Sequence, residues 1–338
     1  MLLENSQSLS RAASELIDYW QNETPLKRFG GLATQNMEID TRFPTKLNTV
    51  SDAPEPLRSA LEESLPSGQP VRLLVHAPAF TTGDEKSPAT VLAVTNNGWL
   101  VASETEDGGA AVEKSNFSDT LFLELKSVLL LGQLRISFAA VDTSYSVTIK
   151  FETVGDELYR EAIDLMLAGI DPALTGVAEK DRSEASMFEA WPMKVRNEAQ
   201  RYWPRGQRFL AAIRWPAVFD GSQGELAPAG ALLITERELV VIAEEKEFAA
   251  ESRPKALSAE EPKELFGGII TFVPRVRLKD FHVSHQQNFG VLALQVHAAH
   301  GGKKLEIIFP PDDEIAVSKA MEQMLLFRGS ANQTITKN

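Results

Sequence analysis

Residues able to do chemistry are few and scattered in this sequence. Four histidines fall as His282-x-x-His285 and His297-x-x-His300, with His76 apart. Two such pairs raise a zinc site, because imidazole nitrogen is a good zinc ligand. On a strand, however, positions i and i+3 point to opposite faces. Each pair is therefore split unless a bulge or turn intervenes, and His300 sits at such a turn, His300-Gly301-Gly302. With no carboxylate or thiolate beside them, the histidines are expected to be polar residues on exposed strands, and no metal or other cofactor is expected. The chain has no cysteine, which excludes a disulfide framework, a thiolate metal site and a cysteine nucleophile, and fits a reducing, cytoplasmic setting. None of the patterns G-x-S-x-G, G-x-x-x-x-G-K-[ST] or H-E-x-x-H occurs, so no nucleophile, phosphate cradle or zinc-protease helix is legible. The expectation is a non-enzymatic protein.

Charge points the same way. The formal net charge is −13, a general argument against nucleic acid and anionic membranes, both of which attract basic surfaces. A local patch can oppose that average. The most basic segment carries Lys194, Arg196, Arg201, Arg205 and Arg208, a candidate patch for an anionic lipid surface or a partner. The acidic pair Asp312-Asp313 follows Pro310-Pro311 and precedes an apolar helical pattern. It reads as a helix start, where carboxylates meet the positive dipole end, rather than as an acid/base pair.

The elements that must position these residues are organised around 229–245, AGALLITERELVVIAEE. Two apolar runs flank a charged break, the pattern of a β-hairpin. The chain holds a second copy: Val94-Thr95-Asn96-Asn97-Gly98-Trp99 aligns with Ile234-Thr235-Glu236-Arg237-Glu238-Leu239. Upstream, Pro66-Ser67-Gly68-Gln69 matches Pro204-Arg205-Gly206-Gln207, and Pro78-Ala79 matches Pro216-Ala217. Downstream, Phe151 matches Phe309, and Met166-Leu167 matches Met324-Leu325. Landmarks that keep their order imply an internal duplication. In the second unit strands are expected at about 209–215, 231–235, 239–243, 269–274, 276–285, 290–297 and 304–309. A closing helix is expected at about 312–328, with Ile315, Met321, Met324, Leu325 and Phe327 on its apolar stripe.

About seven antiparallel strands closed by one amphipathic helix resemble the pleckstrin-homology (PH)-like superfold in its bacterial PH-like or GRAM-like form. The LLITERELVVI hairpin, the stretch IITFVPRVRL (269–278) and the element IIFPPDDE with its helix carry the resemblance. It implies an α+β, mostly β fold: two bent-sheet barrels, each capped by a C-terminal helix, with extra N-terminal and linker helices. It also brings phosphoinositide binding to mind, held in those relatives by Lys and Arg in the loop after the first strand. Here that loop has Lys86 against Asp84 and Glu85 in one unit, and neither Lys nor Arg over 218–228 in the other. A phosphate needs several converging donors, so that mode is not expected.

The resulting organisation is an N-terminal helical extension (1–65), a first PH-like domain (66–168), a linker with a helix (169–203), a second PH-like domain (204–328) and a tail (329–338). Within it, helices are expected over 8–22, 54–65, 156–168 and 184–202, the last broken or restarted at Pro192. Segments 29–54, 78–90 and 105–116 read as loops, 121–140 as buried sheet, and 249–263 as a charged insertion. Trp99, Trp191, Trp203 and Trp215 read as core or inter-domain anchors. The start of the chain, with Glu4, Glu15 and Asp18, does not read as a signal peptide, and no apolar run is long enough to span a membrane. The expected function is an intracellular module that binds a protein or peptide, or a second copy of itself. Peripheral contact with anionic lipid through the basic segment is the alternative.

Overall fold

The structure, a computed structural model, describes residues 43–65, 68–82, 85–128, 130–141, 143–172, 188–201, 209–219, 224–245, 267–286 and 288–333. The helix expected over 8–22, the insertion over 249–263, and Trp203 lie outside the described residues. All described residues belong to one unit, Asp40–Asn338.

In the first half, β1 (Thr45–Leu47) and α1 (Leu57–Ser64) precede β2 (Val71–Ala77), β3 (Phe80–Thr82), β4 (Glu85–Ser87), β5 (Thr90–Thr95), β6 (Gly98–Glu104) and β7 (Ala110–Asn116). Then come β8 (Thr120–Val128), β9 (Leu131–Ala140), β10 (Thr143–Glu152) and α2 (Asp156–Ile170). The second half opens with α3 (Met193–Arg201) and runs through β11 (Phe209–Trp215), β12 (Val218–Phe219), β13 (Glu225–Ala227), β14 (Gly230–Thr235), β15 (Glu238–Glu245) and β16 (Gly267–Pro274). It ends with β17 (Leu278–His285), β18 (Gly290–Ala298), β19 (Gly301–Phe309) and α4 (Glu314–Gln333). The protein is thus mostly β with few helices. Among the described residues no helix is long and apolar enough to cross a membrane.

The strands form a five-stranded sheet β1-β2-β5-β6-β7, a three-stranded sheet β17-β18-β19, a seven-stranded sheet β10-β9-β8-β16-β15-β14-β11, and two small hairpins, β3-β4 and β12-β13. The seven-stranded sheet draws on both halves. Its central ladder pairs β16 with β8, from Gly267↔Val128 to Phe272↔Leu123. Among the described residues no sheet closes on itself, so the expectation of one barrel per half is corrected. The side of β8 that faces away from β9 is taken by β16 of the other half, which leaves open sheets joined in the middle.

This sharing explains the unbroken apolar runs. In β14, Ala231 and Leu233 enter one buried cluster while Leu232 and Ile234 enter another. In β8, Leu123 and Leu125 face the first cluster and Leu121 the second. A sheet covered on both faces needs apolar residues at successive positions, not alternate ones. β5 is the same: Leu92 and Val94 join the first cluster, and Val91 and Ala93 join a third built with Leu57 and Leu61 of α1.

Local devices recur between the halves. The Thr95 hydroxyl donates to Gly98 O (3.0 Å) and accepts from the Asn97 and Gly98 N–H groups (3.3 and 3.2 Å). The Thr235 hydroxyl donates to Glu238 O (3.0 Å) and accepts from Arg237 and Glu238 (3.3 and 3.0 Å). β2 carries a bulge between Val71 and Leu73, and β11 one between Phe209 and Ala211. β8 is irregular between Thr120 and Phe122, and β17 between Leu278 and Asp280. The helix expected from Asp312 begins instead at Glu314, after a 3-10 turn over Pro311–Asp313. Among its described side chains Val317, Ala320, Met321 and Met324 are buried, while Ile315, expected on the stripe, is exposed because it lies off that i, i+3, i+4, i+7 arc; the side chains of Leu325 and Phe327 lie outside the described residues. The loops expected at 78–90 and 105–116 contain β3, β4 and β7, and the loop expected at 29–54 contains β1.

Phe151 packs across β9 onto Gly132, where an added Cβ would come within 2.3 Å of the ring. Phe309 does the same over Gly290, also at 2.3 Å. Gly132→Ala and Gly290→Ala are each expected to destabilise the protein by about 1–3 kcal/mol through overpacking. A lowered urea midpoint with unchanged slope is the readout.

Candidate functional site

The polar groups concentrate where the halves meet. A 3-10 turn, Phe117–Asp119, leads into β8. Arg277 reaches across from the second half, its Nε donating to Thr120 O (2.9 Å) and its Nη2 to Phe117 O (2.6 Å). The Ala299 N–H donates to Ser118 O (3.1 Å), and His300 Nδ1 lies 2.6 Å from Asp119 Oδ1. Lys303 Nζ stands over the Phe122 ring, 5.2 Å from its centre. From the first half, Trp99 Nε1 donates to Thr120 Oγ1 (2.9 Å).

Arg237 and Glu238, at the turn between β14 and β15, are both buried. Arg237 Nε donates to Glu238 Oε2 at 2.6 Å. Burial raises the Glu238 carboxyl above its usual range, against the pull of Arg237, and the negative charges of Asp164 and Asp171 add to the rise. Burial likewise lowers Arg277, while Asp119 and Asp171 hold its proton on. Charges out of water are tolerated only when partnered: Arg237 and Glu238 partner each other within the second half, and Arg277 is partnered by two carbonyls of the first. The chemistry of this cluster is therefore orientation: it fixes how the two halves meet.

The histidines do not converge. His282 and His297 are exposed, on β17 and β18. His285 Nδ1 lies 3.1 Å from Glu314 Oε2 at the start of α4, and His300 faces Asp119 as described. Among the described residues no group of three or more His, Asp or Glu side chains could hold a metal ion. The partners Asp119 and Glu314 lie far from their histidines in the chain, so no local spacing announces them. His76 is buried on β2, and its Nε2 has no hydrogen-bond partner among the described residues.

Of the basic candidates, Lys194, Arg196 and Arg201 belong to α3, and Arg205 and Arg208 lie outside the described residues. Only the Arg196 side chain is described, and it is half-buried. Its N–H donates to Pro192 O (2.9 Å), so the chain restarts as a helix just past that proline.

A second kind of surface is the open sheet edge. β7 is paired along one side by β6, and β17 along one side by β18. Among the described residues no strand lies on the other side of either. Along β7, Ala111, Glu113 and Lys114 are exposed and Val112 is half-buried; along β17, Lys279, Asp280 and His282 are exposed and Val283 is half-buried. Both carry charges typical of managed edges, and Asp280 Oδ1 accepts the Phe281 N–H (2.8 Å). The sheets also end in β1, β10, β11 and β19; α1 packs against β7, and α4 against both β11 and β17. Sequence reasoning missed β7 because Glu113, Lys114, Ser115 and Asn116 lack an apolar signature.

Burial lowers the His76 imidazole below its ordinary value of 6.5. The unfolded chain then takes up this proton first. Stability contributed by neutral His76 is complete above pH 6.5 and is lost as pH falls from there toward the depressed folded value. His76→Leu is expected to lose less stability than the parent between neutral and mildly acidic pH, read as urea midpoints across that range. In comparison with known proteins, no family model matches the chain and no curated protein matches it.

Proposed function

We propose that this chain is a non-enzymatic, intracellular interaction protein built from two PH-like modules in tandem, which binds another polypeptide by adding an extended strand to an open sheet edge. The observation that carries the reading is the open outer edges of β7 and β17, held on sheets anchored by buried clusters. Strand addition draws affinity from main-chain hydrogen bonds and specificity from alternate side chains, and each edge offers a half-buried valine beside an exposed polar residue, Val112 beside Glu113 and Val283 beside His282. The tandem reading, with modules over 66–168 and 204–328, is supported by the recurring order of strands and closing helix, the matching bulges and the matching threonine turns. The non-enzymatic reading is supported by the charged cluster at the junction, where Arg277 and His300 are engaged across the halves and Arg237 is engaged by Glu238 beside it. The cysteine-free composition supports a reducing, cytoplasmic compartment.

The test is selection of displayed nine-residue peptides on the immobilised full chain, beside cosedimentation with anionic and neutral vesicles. Enriched peptides are expected to alternate apolar and polar positions. Of the neighbours Glu113 and Lys114, one turns its N–H outward, so proline at that position blocks pairing while the ladder to β6 persists. Whichever of Glu113→Pro and Lys114→Pro keeps the parent's circular dichroism is expected to lose the selected peptides. Absence of enrichment, together with salt-sensitive sedimentation on anionic vesicles, overturns this reading in favour of lipid binding.

A further inference from the structure

Within the chain, the two halves use different edges to meet. The first half offers β8 and the second offers β16. In the order of elements, β16 is the second half's equivalent of β7, and β17 is its equivalent of β8. The equivalence is fixed residue by residue. The Phe117 N–H bonds Asn97 O just past β7, and the Arg275 N–H bonds Arg237 O just past β16. The irregularity at Thr120–Phe122 recurs at Leu278–Asp280, and the Gly132–Phe151 contact recurs as Gly290–Phe309. The internal contact is therefore heterologous, joining unlike patches, and it leaves one complementary edge at each end of the molecule. These are β7 and β17, each without a strand on its outer side among the described residues, as are β1, β10, β11 and β19 at the other sheet ends.

We propose that copies of this chain join head to tail, β17 of one pairing with β7 of the next, so that the contact made within each chain is repeated between chains. The proposal rests on the strand-addition and tandem readings above, and it names the partner as a second copy. Carrying the internal register across sets Val112 opposite Val283, in the places held inside the chain by Ile270 and Leu125. It sets Glu113 opposite His282, where Thr271 faces Glu124, and Lys114 opposite Phe281, where Phe272 faces Leu123. The apolar pair keeps its place in the ladder. Glu113 and His282, both exposed in the single chain, become an acid–imidazole pair. Asp280 must release the Phe281 N–H as the strand docks. Because the contact is head to tail, it builds a ring or an open series rather than an isologous pair.

Sedimentation of the full chain over a wide concentration range is expected to show a mass that rises above the monomer. Glu113→Lys removes the acid opposite His282, and His282→Glu sets two carboxylates opposite each other; each is expected to weaken association, by up to about fivefold. The double variant Glu113→Lys/His282→Glu restores it. Both positions are exposed, so the fold of the single chain stands, checked by circular dichroism. The chain has no cysteine of its own, so Glu113→Cys/His282→Cys is expected to give a ladder of cross-linked chains on oxidation. The out-of-register pair Ala111→Cys/His282→Cys gives none. A monomer at every concentration, a double variant no better than the single ones, or equal ladders from both cysteine pairs overturns the proposal. If the chain stays monomeric while selected peptides bind, only the head-to-tail inference falls; if neither occurs, the strand-addition reading falls with it.

Discussion

From Gly267↔Val128 to Phe272↔Leu123, the backbone of β16 runs beside that of β8, and this antiparallel ladder determines most of what surrounds it. It turns two groups of strands into one seven-stranded sheet with two buried faces. On one face, side chains of α2 and of strands from both halves fill a common cluster; on the other, α4 and the second half's strands fill a second together with Leu121, Phe122 and Ala139 of the first half. Backbone pairing far apart in sequence is costly in chain entropy. It holds here because the apolar side chains of both strands, Leu123, Leu125, Ile270 and Phe272 among them, leave water in the same step.

The polar contacts at the junction depend on that ladder. Arg277 can satisfy Phe117 O and Thr120 O only because β8 and β16 are held in register beside it. The buried Arg237–Glu238 pair sits near the carboxylates of α2 for the same reason. Such groups add little net stability, but they penalise a slipped arrangement, since a shift strands a charge away from water. Apolar burial supplies the attraction between the halves, and the charges select one way of meeting.

Much of the fold was legible because apolar runs and turn residues are local signals. The hairpin at 229–245 emerges as β14 and β15, and the alternation from Tyr145 to Phe151 falls in β10. β7 was not legible: a strand exposed on an edge carries polar residues, and Glu113-Lys114-Ser115-Asn116 reads as a loop. Nor was the β8–β16 ladder, because an apolar run states that a strand is buried without stating by what. The candidate site fared similarly. The histidine spacing argued against converging ligands, but Asp119 and Glu314 became visible as partners only once the chain was folded. The basic segment read as a patch from composition, and composition does not say whether its charges face one way.

The β8–β16 contact also imposes an order of events on synthesis. β8 is made long before its partner, and at translation rates of about 5–20 residues per second the delay is on the order of ten seconds. Until then Leu121, Leu123 and Leu125 have only half of their final surroundings, beside a backbone edge ready to pair with any extended chain nearby. The first half cannot reach its final state on emergence, however complete its own strands and helix. Its maturation waits on the second half, and the period of greatest exposure to mispairing is set by the length of chain between the two strands.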